Sequence, residues 1–441
     1  MKPDLVALYR DAPRPRRAVI FIPGAFGSRL RDAKTGRLVW GRARSFIERL
    51  YRPFHPEADL LDLPIEAENP LDNHDGLEPA GIFDKVADYE YYQRILDALR
   101  DAGGYVPGDI HDPRPGQNLF SFDYDWRRDA AETAGQLAEA IDRVLAARGE
   151  PGGKVDLVGH SLGGVLARYY ARYGGRDVLG EDRPVPTFEG ARRIGTVVFL
   201  GVPNEGTLDA LRSLLEGDRL VRLLPPGAIF TMPVAYQLLP RPGGSYLIDS
   251  EGNPLPDDIY DVATWMKLGW SAFSPGSIAD RRATYRKGRT REEGEALVTE
   301  RFGVSRRFAA WALARARRFR EALDGGADGE AVVRYVALGG DCLPTPARAM
   351  VLFDGSSHTT YFNPKDLPPE LRTPRIESLM TDPGDGTVTR MSLLDVPQQA
   401  APGFQPIAFA SSWFLCATHR GLTRNVEVHN NLLHALLDPG R

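Results

Sequence analysis

Residues 154–163 read Lys154-Val155-Asp156-Leu157-Val158-Gly159-His160-Ser161-Leu162-Gly163. The apolar run Val155 to Val158 stops at Gly159, and an amphipathic segment follows through Val165, Leu166, Tyr169 and Tyr170. The order is strand, sharp turn, helix, with a serine at the apex. This is the G-x-S-x-G nucleophile elbow in its expected context. The chemistry explains the spacing. A strained backbone pushes the serine hydroxyl out of the turn, so the residues two before and two after it must lack bulk. Gly159 and Gly163 meet that need. The helix N-terminus then lies beneath the hydroxyl, where its free N–H groups can stabilise an oxyanion. The plain alternative is a glycine-rich turn carrying a solvated serine.

Outward from the elbow, strands and helices alternate. Ala18 to Ile22 reads as a buried strand stopped by Pro23-Gly24, and residues 28–80 read as irregular, with prolines at 53, 56, 64, 70 and 79. Tyr91 to Arg100 is helical, Asn118 to Phe122 a short strand, and Ala130 to Ala147 a helix closed by Gly149. Ile194 to Leu200 is a further buried strand. The pattern breaks from 206 to about 330, resumes at Val332 to Leu338 and Ile407 to Ala410, and ends in a helix from about Leu422 to Leu437. Such alternation predicts an α/β fold, a mostly parallel sheet with helices on both faces. The expected units are a core over 1–205 and 331–441, with 206–330 inserted as a cap.

The composition is that of a globular protein, 42% hydrophobic and 26% charged over 441 residues, with net charge −4. That charge implies no global attraction to polyanions. The two cysteines, Cys342 and Cys416, make no disulfide framework and are expected as small buried thiols. Met1 to Arg17 lacks a signal-peptide apolar core, and no run of about 18 apolar residues predicts a membrane span. The expected location is cytoplasmic.

A serine nucleophile needs a base and the base an orienting acid, which in this fold follow in the order Ser, Asp or Glu, His. His55, His74 and His111 precede the elbow. His160 sits inside the turn, where packing is its expected role. His358 precedes the best acid, and His429 and His434 fall within the last helix. His419 lies just before that helix, the expected place for the base. Asp385, in Asp382-Pro-Gly-Asp-Gly-Thr-Val388, is the first candidate acid, because flanking glycines let a loop turn its carboxylate inward. Asp341 competes with it. The N–H of Leu162 and that of Ala25 or Phe26, in Pro23-Gly24-Ala25-Phe26-Gly27, are the candidate oxyanion donors.

Together these parts resemble the lecithin:cholesterol acyltransferase family, which includes lysosomal phospholipase A and phospholipid:diacylglycerol acyltransferases. Ile22-Pro-Gly-Ala-Phe-Gly-Ser28, Tyr124-Asp-Trp-Arg127, Gly159-His-Ser-Leu-Gly-Gly164, Leu200-Gly-Val-Pro-Asn-Glu-Gly-Thr207, Gly384-Asp-Gly-Thr-Val388 and His419-Arg-Gly-Leu422 are similar to its motifs, in its order. The resemblance implies an α/β-hydrolase fold and a Ser161–Asp385–His419 triad. It also implies an oxyanion hole of Ala25 and Leu162. The implied chemistry is cofactor-free and metal-free acyl-enzyme formation on lipid esters, ending in hydrolysis or acyl transfer. Secreted animal members use several disulfides, which two cysteines cannot reproduce. The alternatives are an esterase for non-lipid esters and a non-catalytic binding protein on the same fold.

Two stretches could meet an anionic membrane or lipid particle. Trp40 to Phe54 interleaves Phe46, Ile47, Leu50, Tyr51 and Phe54 with Arg42, Arg44, Arg49 and Arg52. It reads as an interfacial helix or as one packed on the core with a basic edge. Arg281 to Arg320 holds 13 Arg and Lys against 4 Glu. Its tail, Arg306 to Arg320, reads as a cap helix facing headgroups or as a solvated face paired with acids. No nucleic-acid motif accompanies the charge.

Overall fold

The computed structural model describes residues 17–41, 61–83, 85–86, 89–182, 184–218, 224–324, 332–399 and 404–437. Six strands form one sheet: β1 (Ala18–Ile22), β2 (Leu119–Ser121), β3 (Val155–His160), β4 (Ile194–Leu200), β5 (Arg334–Gly340) and β6 (Phe409–Leu415). Their order is β6-β5-β4-β3-β1-β2. Every neighbouring pair is parallel. β1 and β3 are buried at every position, as strands covered on both faces must be, and this explains their near-continuous apolar runs.

Side-chain alternation splits the core in two. Ala18, Ile20 and Ile22 point into one cluster, and Val19 and Phe21 into the other. The first cluster takes α1 (Ala130–Ala147) and α2 (Leu162–Tyr173). The second takes α5 (Val426–Leu437), through Val428, Leu432 and Leu433. Asp129 starts α1 by accepting from the Ala131 and Glu132 N–H groups, a side-chain cap of the usual kind.

Between β4 and β5 the chain is mainly helical. It includes α3 (Leu208–Glu216), short helices at Pro226–Phe230 and Pro233–Gln237, and the 34-residue α4 (Arg291–Asp324). Val304, Phe308, Ala312, Ala316, Phe319 and Leu323 form the buried stripe of α4, three or four residues apart, as one helix face requires.

Four expectations need correction or restriction. Residues 28–80 are not merely irregular, because Ser28–Asp32, Leu38–Trp40 and Leu77–Ile82 pair as an antiparallel sheet. These strands are short, and Pro79 lies in an edge strand, where a missing N–H is tolerated. Pattern reading passes over such a strand. The cysteines are not free thiols but form the Cys342–Cys416 disulfide. β5 and β6 are parallel neighbours with Gly340 opposite Leu415, which brings together cysteines 74 residues apart in sequence. Disulfides persist in oxidising compartments, so this bond weighs against the cytoplasmic expectation. Of the two readings of the basic tract's tail, the structure follows the face paired with acids and not the headgroup-facing one. Arg315 pairs with Asp129 and Asp177, and Arg317 with Asp258. Arg318 donates to the carbonyls of Leu179 and Glu181, and buried Arg320 to those of Leu239, Pro203 and Asn204. Within Arg306 to Arg320, Arg306 and Arg307 remain exposed without such bonds among the described residues. In the Trp40–Phe54 stretch, residues 42–54 lie outside the described residues. Trp40 itself is buried against Phe26 and Trp126. Among the described residues no helix is long and apolar enough to cross a membrane.

Candidate active site

Ser161 stands at the C-terminal end of β3 with φ 53° and ψ −123°. A non-glycine residue at positive φ costs of order 1–3 kcal/mol and persists only where its surroundings enforce it. Here the Ser161 N–H donates to the Leu200 carbonyl at 2.9 Å, which fixes the turn to β4. The flanking glycines are needed for close approach. A Cβ on Gly159 would strike the Gly164 backbone, and one on Gly163 would strike the Ile22 carbonyl. Leu162 opens α2, whose first N–H groups have no partner within the helix.

The loop after β1 closes against the elbow. Gly27 N–H donates to the Gly24 carbonyl at 3.0 Å, with Ala25 and Phe26 at the corners of the turn. Phe26 has φ 64°, the sign that the third residue of a type II turn requires. The Tyr124-Asp125-Trp126-Arg127 segment holds this loop. Tyr124 donates through its hydroxyl to the Pro23 carbonyl at 2.7 Å, and Trp126 through Nε1 to the Ser28 carbonyl at 3.1 Å. Arg127 is completely buried and paired with Asp125 and Asp75, so that motif is structural.

Asp385 and His419 come together from loops 34 residues apart, with His419 Nδ1 at 2.8 Å from Asp385 Oδ2. The other carboxylate oxygen accepts from the N–H groups of Thr387 (2.9 Å) and Val388 (2.7 Å). The His419 N–H donates to the Asp385 carbonyl at 2.9 Å, tying the loops a second time. Both residues are buried. The competing Asp341 instead faces Arg390 at 3.6 Å and is partly exposed. His429, in α5, donates from Nε2 to the Thr423 carbonyl at 2.9 Å, and His358 lies in the strand His358–Tyr361 and is absent from the cleft that His419 lines.

Sequence reading missed a buried chain of contacts behind the elbow. The Gly24 N–H donates to the Tyr92 hydroxyl at 3.0 Å, and that hydroxyl lies 3.0 Å from His160 Nδ1. His160 Nε2 lies 3.3 Å from the His419 carbonyl. Burial, and then the neighbouring His419, hold the His160 pKa well below its ordinary value. A neutral His160 therefore accepts at Nδ1 from Tyr92 and donates from Nε2–H to the carbonyl. The chain links the loop after β1 to the loop carrying His419. Only the adjacency of His160 to Ser161 hinted at this.

Ser161, His419 and Ala25 line one cleft of about 860 Å³, its open mouth included. Ile229, Met232, Val234, Ala235 and Leu238 supply an apolar wall, and Phe26 and Trp126 also line the cleft. Thr207, Asp209, Thr387, Tyr91 and Arg420 are polar members of the lining. An apolar cleft with a few convergent polar groups is the usual form of a small-molecule site.

This sheet, with a serine elbow after its third strand, is the α/β-hydrolase fold. Residues 72–224 match the model of the lecithin:cholesterol acyltransferase family, which bears out the resemblance read from the motifs. The Tyr124, Ser161 and Leu200 motifs lie inside that match, and the Asp385 and His419 motifs outside it. No curated protein sequence matches the chain significantly. Among solved structures, a chain of the Tle4–Tli4 complex is similar at TM-score 0.54 and 13% identity, over 95% of this chain and 97% of that one. The mature form of the Bacillus licheniformis lipase BlEst2 aligns over 96% of this chain and 94% of that one at 13% identity, with a TM-score of 0.32. The family match and the fold support, in general terms, ester hydrolysis or acyl transfer on lipid-like esters.

Proposed function

We propose that the protein is a serine esterase or acyltransferase acting on lipid esters through an acyl-enzyme. Ser161 Oγ attacks the ester carbonyl. His419 takes the serine proton at Nε2 and returns it to the leaving alcohol. Asp385 holds Nδ1–H and stabilises the imidazolium that forms. The N–H groups of Ala25 and Leu162 receive the oxyanion. Water or a second alcohol then attacks the acyl-serine, with His419 again moving the proton. Residues 206–330 act as a cap, and the Ile229 to Leu238 wall takes the acyl chain.

The observation that carries this reading is the convergence on one cleft of a strained elbow serine and a histidine bonded to a buried carboxylate at 2.8 Å. The test is product analysis. The protein is incubated with phospholipids, acylglycerols and short esters, with and without a lipid alcohol as acceptor. Free fatty acid alone identifies a hydrolase, and a new ester in the presence of the alcohol identifies a transferase. Turnover of none of them refutes the proposal.

A further inference from the structure

Arg420 follows His419 directly and lines the same cleft as Ser161. Consecutive Cα atoms lie about 3.8 Å apart, so its backbone adjoins that of the histidine. It lies over the Tyr91 ring, 5.5 Å from the centroid. Among the described residues no carboxylate pairs with it. The other formally charged residue of the cleft lining is Asp209, already paired with Arg212 on the same helix. The cleft thus holds one neutralised carboxylate and one uncompensated guanidinium within a largely apolar wall. Arginine stacked on an aromatic ring keeps its N–H fork free for planar recognition of phosphate or carboxylate. Attraction to an anion is stronger in such surroundings than in open water.

From this arrangement we infer that Arg420 selects ester substrates that carry an anionic group, a phosphate or a carboxylate, close to the scissile ester. The inference rests on the esterase reading above and deepens it. The acyl chain lies along the apolar wall, the carbonyl at Ser161, and the anion on the Tyr91–Arg420 pair. Arg420 is a specificity-determining residue here and moves no proton.

The test compares the full chain with Arg420→Gln and Arg420→Lys on four esters of equal acyl length, each presented in the same detergent micelles. These are dihexanoyl phosphatidic acid, dihexanoylglycerol hemisuccinate, dihexanoyl phosphatidylcholine and trihexanoylglycerol. The quantity read is the kcat/KM for each charged ester divided by that for the triacylglycerol. A lost charge-assisted hydrogen bond corresponds to about a 10- to 100-fold effect. In Arg420→Gln the anionic ratios should fall by that factor, with Arg420→Lys in between. A fall for both anions supports shared recognition, and a fall for one identifies its source. Ratios unchanged within twofold in a folded Arg420→Gln would overturn the inference and leave the esterase reading standing. A second readout does not need turnover. Dihexanoyl phosphatidic acid should bind Ser161→Ala measurably by calorimetry, and about tenfold or more weaker when Arg420→Gln is added. Equal binding with and without Arg420 would likewise refute it.

Discussion

Asp385→Asn isolates the role of one oxygen atom. In the native site, Oδ1 accepts two backbone N–H bonds and Oδ2 accepts from His419 Nδ1 at 2.8 Å. Asparagine can keep the two backbone bonds only by placing its carbonyl where Oδ1 was. Its NH2 then points at Nδ1, and two donors cannot face each other. The imidazole must move its proton to Nε2, the nitrogen that has to accept from serine. The base is lost while the loop is kept. The expected loss in kcat is up to about 10⁴, equivalent to about 5.4 kcal/mol of barrier. The reverse amide rotamer would preserve the tautomer but aim NH2 at the Thr387 and Val388 N–H groups, leaving buried donors unpaired at about 1–3 kcal/mol. That outcome would appear as a lowered melting temperature with higher activity. The assay is hydrolysis of a soluble p-nitrophenyl ester, with thermal melting as control. Asp341→Asn, at a partly exposed ion pair, should change kcat less than twofold. If Asp385→Asn kept more than a tenth of wild-type kcat and Asp341→Asn did not, the acid would be misassigned.

Further outcomes follow from the same geometry. His419→Ala should lower ester turnover by about 10⁴ or more. His429→Ala, which removes a buried bond to the Thr423 carbonyl, should lower the melting temperature and leave kcat within a few-fold. Kinetics and melting of both variants check this. His160 is buried and its pKa is held well below the ordinary histidine range. As pH falls below about 6.5, the unfolded chain takes up a proton that the native state refuses. His160 therefore lowers stability progressively in that acid window and has no such effect above it. His160→Gln should flatten the acid limb of stability against pH, and an unchanged slope in urea titrations would contradict this. Replacing both Cys342 and Cys416 by Ala opens a loop of 74 residues. The chain-entropy model puts the cost at about 4 kcal/mol, with typical measured values of 2–4. Denaturant midpoints with and without a dithiol should show the same loss in the wild type and none in the double variant.

Much of the candidate site is legible in the amino-acid sequence, because elbow chemistry leaves a local record. Ser161 needs glycines at fixed offsets, and Asp385 and His419 sit in loops after late strands, where the chain order of this fold puts them. The α1 helix and β4 are readable to the residue, since each carries its own period and stops. What escapes a sequence reading depends on pairing between distant segments. The Ser28, Leu38 and Leu77 strands are three to six residues long and the last contains Pro79, so no period marks them. The Cys342–Cys416 bond follows from β5 lying beside β6, which sequence spacing does not state. Pairing of the arginines of Arg315 to Arg320 with acids can be read as an alternative, but not the partners themselves, because Asp129, Asp177, Asp258 and the carbonyls of 179, 181, 203, 204 and 239 lie in remote segments. The bonds of Tyr92 and the stacking of Arg420 escape for the same reason. Tyr92 bonds the residue beside the nucleophile, and Arg420 stacks on a tyrosine more than 300 residues away.

The central claim is that Ser161 is an acylated nucleophile. The most direct measurement is covalent labelling with a p-nitrophenyl alkylphosphonate, followed by peptide mass mapping of wild type and Ser161→Ala. The phosphonate should replace its p-nitrophenolate with one serine oxygen, adding one label per chain, confined to the peptide containing Ser161. Labelling and ester turnover should disappear together in Ser161→Ala, which keeps the fold and loses at least about 10⁴ in kcat. A folded wild type that takes no label, or a Ser161→Ala chain that still labels and turns over ester at comparable rates, would contradict the account.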